Sequence, residues 1–218
     1  MYRRSKKNLE YYSNIRDEYQ IQLLNILKGP FYNGLKTIYN QVKQDALSKN
    51  DKNIMKNFQI CLKNIPVWNE DIIEVTSNKV IEKAECPYLT KLLEVVYKSN
   101  YKLLSSQTKK RKGSSSKNLE IPSIKNFIHK CYCEIAREIY INPFLMCDYD
   151  LTTWELQSNL RETYRLIENS INNTIRKTLP FEKMIDLYLN DNDSVQSDLI
   201  SSDLSISYTD DYDENRCD

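Results

Sequence analysis

Apolar positions recur at helical spacing along most of the first 189 residues. Leu9, Tyr12, Tyr19, Leu23 and Ile26 lie at multiples of three and four, one stripe that predicts a helix over about 6–28. Gly29-Pro30 reads as its stop, because proline lacks the amide hydrogen and clashes with the preceding turn. Leu35, Ile38, Tyr39 and Val42 predict a second helix over 31–47, and Asp51 is a candidate N-cap for a third ending near Lys63. After Pro66, a fourth is expected over 68–84 with Ile72, Ile73, Val80 and Ile81 inward. Leu89, Leu92, Leu93, Val96, Leu103 and Leu104 mark a fifth. Ser123 is placed to cap a sixth, which Asn142-Pro143 ends. Thr152-Thr153-Trp154-Glu155 has the form of a capping box. It opens the clearest helix, with Leu156, Leu160, Tyr164, Ile167, Ile171 and Ile175 spaced 4, 4, 3, 4 and 4. Pro180 follows, and a short eighth helix is expected over 181–189.

Composition supports that reading. Three glycines and six prolines in 218 residues are too few for an all-β chain, which needs turn residues every 8–12 positions or so. The expectation is an all-α fold: a single irregular helical bundle of about seven or eight helices in one domain over 1–189. Residues 105–118 contain no apolar side chain and are expected to be a disordered loop inside that domain. Each flanking half would bury few large side chains alone, which favours one core over two. No repeat with a 20–50 residue period is evident.

Charge changes the picture. Residues 190–218 carry nine acidic groups and one basic one, leaving 30 Lys and Arg against 21 Asp and Glu before them. A basic body is thus joined to an acidic, Ser/Asp-rich tail expected to be disordered, and segregation of this kind speaks to partners rather than to fold. Within the loop, Lys109, Lys110, Arg111 and Lys112 form a basic cluster suited to phosphates or anionic lipid, or simply to solvation. In the tail, Leu199, Ile200, Leu204 and Ile206 are too few for a core and too apolar for a pure solubility segment; such a stretch can order on a partner. Ser197 and Ser202 each precede Asp, where phosphate would add further negative charge. These eight loop and tail residues are the candidate partner-binding set.

Signatures of catalysis are sparse. His129, the single histidine, lies in His129-Lys130-Cys131-Tyr132-Cys133; His129 and Cys133 share a helical face, while Cys131 is turned away by about 200°. A zinc site would need Cys61, Cys86 or Cys147 from elsewhere, and no Cys-x-x-Cys pair assists, so packed thiols are the preferred reading. Glu70 with Asp71, and Glu134 with Glu138, have Lys and Arg nearby and read as solvated charge. Walker and Rossmann glycine patterns are absent, and no helix shows the basic Arg/Asn/Gln stripe of a base reader, so any nucleic-acid contact would be sequence-independent. The expectation is a non-enzymatic protein with no catalytic, cofactor-binding or metal-binding residue.

The basic start Met1-Tyr2-Arg3-Arg4 is not followed by the apolar run of a signal peptide, and no segment reaches the roughly 18 apolar residues of a membrane span. Six irregularly spaced cysteines then read as reduced intracellular thiols.

Several stretches in order resemble an uncharacterised protein family of nucleocytoplasmic large DNA viruses, the giant-virus group. They are Leu23-Leu24-Asn25-Ile26-Leu27 running into Phe31-Tyr32-Asn33-Gly34-Leu35, then Ile65-Pro66-Val67-Trp68-Asn69, Phe127-Ile128-His129-Lys130-Cys131-Tyr132, Asn142-Pro143-Phe144-Leu145 and Asn172-Asn173-Thr174-Ile175-Arg176. The resemblance covers most of 19–189 and neither the loop nor the tail. It implies context rather than activity: a viral protein in the virion or host cytoplasm, with other viral or host proteins as partners. The function expected is a virion or assembly scaffold; the alternative is a sequence-independent nucleic-acid-binding protein autoinhibited by its acidic tail.

Overall fold

The computed structural model describes residues 2–105, 119–182 and 185. Among them the chain is all-α, with six α-helices: α1 (Tyr2–Ser48), α2 (Ile54–Asn64), α3 (Glu70–Lys83), α4 (Leu89–Ser105), α5 (Ile124–Ile141) and α6 (Thr153–Thr178). Two short 3-10 turns, Ile65–Val67 and Pro143–Met146, join α2 to α3 and follow α5. Phe181, Glu182 and Ile185 are also helical, and the rest of the expected eighth helix lies outside the described residues.

The largest departure from the sequence reading is α1. The expected break at Gly29-Pro30 does not occur; the helix runs through Pro30 for 47 residues. Proline inside a helix costs about 3 kcal/mol. Against that, Leu23, Leu27, Phe31, Leu35, Tyr39, Val42 and Ala46 form one unbroken buried stripe across the proline. Each large side chain so buried contributes about 1.5–3 kcal/mol, and a kinked chain would tear that stripe from α2, α3 and α6, against which α1 packs. The tertiary term wins, and two expected helices become one.

Smaller corrections have local causes. Asp51 does not cap α2: its carboxylate accepts hydrogen bonds from the Asn53 amide (2.9 Å) and the Asn57 side chain (2.7 Å), and the helix starts at Ile54. α3 begins at Glu70, where Asn69 caps it by accepting from the Ile72 amide at 2.9 Å. Only Ser77 and Val80 of α3 are buried; Ile73 and Ile81 are half-buried and Ile72 is 44% exposed. α5 is capped by Ser123, and α6 by the full capping box of Thr152 and Glu155.

The interior is built around α5, which packs against α2, α3 and α6. Phe127, Ile128, Cys131, Tyr132, Ile135, Ala136 and Ile139 are all buried. Aromatic edges lock it to its neighbours: Phe31 meets Tyr132 and Tyr97 meets Phe127 in T-shaped contacts, with centroids 5.0 and 6.2 Å apart. The buried face of α6 is wider and more polar than its leucine-isoleucine stripe. Thr163, Ser170 and Thr174 are buried, and each hydroxyl donates to the carbonyl four residues earlier, at 2.7–2.8 Å. That satisfies them within the helix and leaves small side chains where α5 approaches. Leu156, at the other end of the predicted stripe, is 38% exposed.

By its internal contacts the chain divides into two units. Met1–Leu103 with Ser115–Leu179 is one, and Leu104–Ser114 with Pro180–Asp218 is the other. No helix among the described residues is long and apolar enough to cross a membrane.

Candidate functional site

The sequence-selected loop and tail residues, Lys109, Lys110, Arg111, Lys112, Leu199, Ile200, Leu204 and Ile206, lie outside the described residues. What the helices do place together are four clefts and the histidine cluster.

His129 projects from α5 beside the 3-10 turn after α2. Its Nε2 lies 3.0 Å from the Ile65 carbonyl, and Cys133 Sγ is 3.6 Å from the same nitrogen. The imidazole stacks on the Trp68 indole, with centroids 6.1 Å apart and planes 21° from parallel. Cys131 faces the other way, fully buried, with its thiol pushed far up by burial against a weaker opposing hydrogen bond to Thr174. Among the described residues no group of three or more His, Cys, Asp or Glu is arranged to hold a metal. The cluster's visible work is to seat Trp68: the His–Cys face and the Ile65 carbonyl hold the ring against which the indole lies.

Trp68 in turn walls a cleft of about 370 Å³. One side is α1, through Pro30, Gly34, Thr37 and Ile38; the other is α3, through Ile72, Thr76, Lys79, Val80 and Lys83. The α1 wall is low because two of its four residues are proline and glycine. Gly34 is required there: a Cβ built on it would overlap the Tyr132 hydroxyl and lie 3.0 Å from the ring carbon bearing it. Tyr132 forms the floor, 1% exposed, and its hydroxyl has no hydrogen-bond partner among the described residues. Burial holds that phenol protonated far above the usual tyrosine range. At the rim, Lys79 and Lys83 are exposed, one turn apart, and form no ion pair among the described residues.

A second apolar region surrounds the end of α5. Met55 and Gln59 of α2, with Ile141, Pro143, Phe144, Leu145 and Leu151, line a cleft of about 430 Å³. Beside it, Leu62, Pro66, Cys133, Ala136 and Tyr140 contribute to another of about 340 Å³. The Gln59 amide, donating to the Tyr140 carbonyl at 2.8 Å, ties the two helices together at this end. Ile141 is 70% and Phe144 67% exposed, large apolar side chains at adjoining positions facing water.

The fourth cleft is polar. Arg165, Asn169, Asn172, Asn173 and Arg176 follow one another along α6 at helical spacing and line about 400 Å³ with Glu138. An Arg/Asn row therefore exists where the sequence reading found none; it was hidden because the same helix carries the cleanest apolar stripe. Its charge is partly neutralised by Glu162, which accepts from Arg165 at 2.8 and 2.5 Å; separately, the Asn172 side-chain oxygen accepts from Gln20 at 2.7 Å.

The sequence reading also missed the α1–α3 cleft, because it took Gly29-Pro30 as a terminator. The i, i+4 spacing of Pro30 and Gly34 was the available signal.

No curated protein matches the chain, and no solved structure does. A family of unknown function (DUF5764) matches residues 9–147, from α1 to the turn that follows α5, and so takes in the α1–α3 cleft, His129, Tyr132, Ile141 and Phe144. That match spans more than half of the 218 residues, so the chain belongs to the DUF5764 family.

Proposed function

We propose that this is a non-enzymatic interaction protein, in keeping with a virion or assembly component of a large DNA virus, and that it engages partner proteins through the apolar end of its helical body. One observation carries the reading: Ile141 and Phe144, 70% and 67% exposed, stand at the mouth of an apolar cleft between α2 and the end of α5. Exposed apolar side chains grouped around a cleft are the ordinary mark of a protein interface. The viral setting rests on the sequence resemblance. Affinity capture from infected cells, with wild type and an Ile141→Asp/Phe144→Asp variant, tests the reading. Partners should be lost from the variant while its helical melting curve is kept. An unchanged partner set would overturn the assignment of this surface, and absence of the protein from purified virions would count against the virion role.

A second reading, a sequence-independent nucleic-acid-binding body masked by its own tail, rests on the segregation of charge between 1–189 and 190–218.

A further inference from the structure

We propose that the cleft between α1 and α3 is a small-ligand site for an aromatic carboxylic acid bearing a second hydrogen-bonding oxygen away from its carboxylate. This inference stands apart from the protein-partner reading, because it uses a different face and different residues. At about 370 Å³ the cleft falls within the range of small-molecule sites, roughly 300–1,000 Å³. Its walls suit a flat apolar body: the Pro30 ring, Ile38, Ile72 and Val80 on the flanks, with the Trp68 indole in a fixed orientation. On the α1 wall Gly34 presents no side chain, and the space its Cβ would take is filled by the Tyr132 hydroxyl.

Two polar features define the ends of the ligand. At the floor, the Tyr132 hydroxyl is buried without a partner among the described residues. An unmade hydrogen bond on a buried hydroxyl is costly, so such groups call for an occupant or a reason. Gly34 and Tyr132 both line the cleft, and the hydroxyl occupies the space a Cβ at position 34 would take. At the rim, Lys79 and Lys83 lie on one face of α3 with no acidic partner among the described residues. Two unpaired ammonium groups over an apolar slot select an anion, and a carboxylate is the smallest that leaves an aromatic ring free to enter. Asn64 and Thr76 add neutral hydrogen-bonding groups between the ends.

The chain has two tryptophans, and Trp154 is 74% exposed at the start of α6. A Trp154→Phe background therefore leaves Trp68 as a reporter inside the cleft. The probe is 6-hydroxy-2-naphthoate, titrated into the full-length protein while Trp68 emission is read. A saturable change is expected. Dropping the ring hydroxyl (2-naphthoate) should weaken binding about tenfold, the loss expected for one hydrogen bond to a buried group. Tyr132→Phe should make the two acids bind alike. Lys79→Glu with Lys83→Glu should weaken both acids at least tenfold and leave 2-naphthol unaffected. These lysines are exposed, so that variant keeps its fold, and thermal melting of Tyr132→Phe checks the other. No saturable change at millimolar acid would overturn the site. So would binding that ignores both the lysine and the tyrosine variants.

Discussion

Gly34 is the residue on which the packing between α1 and α5 turns. Its hydrogen stands where any other side chain would meet the Tyr132 phenol, and the hydroxyl makes no hydrogen bond among the described residues. Gly34→Ala should therefore cost about 1–3 kcal/mol by overpacking, despite alanine's better helix propensity. Tyr132→Phe alone should be close to neutral, because it removes an unpaired buried hydroxyl. Combined, the two should recover most of the loss, though not all, since the ring carbon would still be 3.0 Å from the new Cβ. Urea denaturation of the four proteins gives the coupling energy directly; strict additivity would show that Tyr132 is not what Gly34 accommodates. Three further residues, Asn50, Glu85 and Asp150, hold left-handed backbone at φ 47–55°. Asn50 and Asp150 are of the types that tolerate it; Glu85, just after α3, is not.

At the scale of elements, α1 is held to the turn after α5 by charge as well as by its stripe. Lys36 and Lys43, two turns apart on α1, reach Asp148 at 3.0 and 2.7 Å, and Lys36 also donates to the Met146 carbonyl at 3.1 Å. Burial alone would raise the Asp148 pKa; the hydrogen bonds and charges of Lys43 and Lys36 together bring it below the usual carboxylate range. A carboxylate depressed on folding stabilises the protein above its unfolded pKa, near 3.9, and that contribution fades as pH falls through the folded value. Asp148→Asn should thus cost about 1 kcal/mol at neutral pH. The gap between variant and wild type should stay level between about pH 5 and 8 and close below about pH 4. Paired thermal melts across that range test it, and a gap that widens in acid would contradict the ion-pair account. A comparable tie, Glu134 accepting from Lys177, fastens α5 to α6 with the carboxylate side chain 16% exposed.

For the whole molecule, the net charge of +1 hides a basic body and an acidic tail. If the tail masks a nucleic-acid-binding surface, deleting 190–218 should raise affinity for duplex DNA at least tenfold at low salt. The logarithm of that affinity should then fall steeply with the logarithm of salt concentration. Fluorescence anisotropy with two unrelated duplexes is the measurement; equal, weak binding before and after deletion would remove the masking idea. The polar row along α6 does not by itself favour it, because Glu162 and Glu138 lie among its arginines and asparagines.

Helical class, the bounds of α4 and α5, and the Ser123 and Thr152 caps were legible in the sequence, because each depends on interactions within a few residues. Periodicity also identified Ile167, Ile171 and Ile175 of the buried face of α6. It failed where distant burial overrode local propensity: Pro30 lies inside α1 because a stripe from Leu23 to Ala46 is buried as one piece. It failed again where a face is defined by other helices, as with exposed Ile72 and Leu156 and the buried hydroxyls of α6. The α1–α3 cleft could be read only from the tertiary structure. Its parts, Gly34, Trp68, Lys79, Lys83 and Tyr132, come from three helices and a turn, and local sequence carries no information on the distance between them. The chain alone determined that it would form helices with an apolar side; packing between helices decided which helix continued, which residues met, and where a cleft was left open.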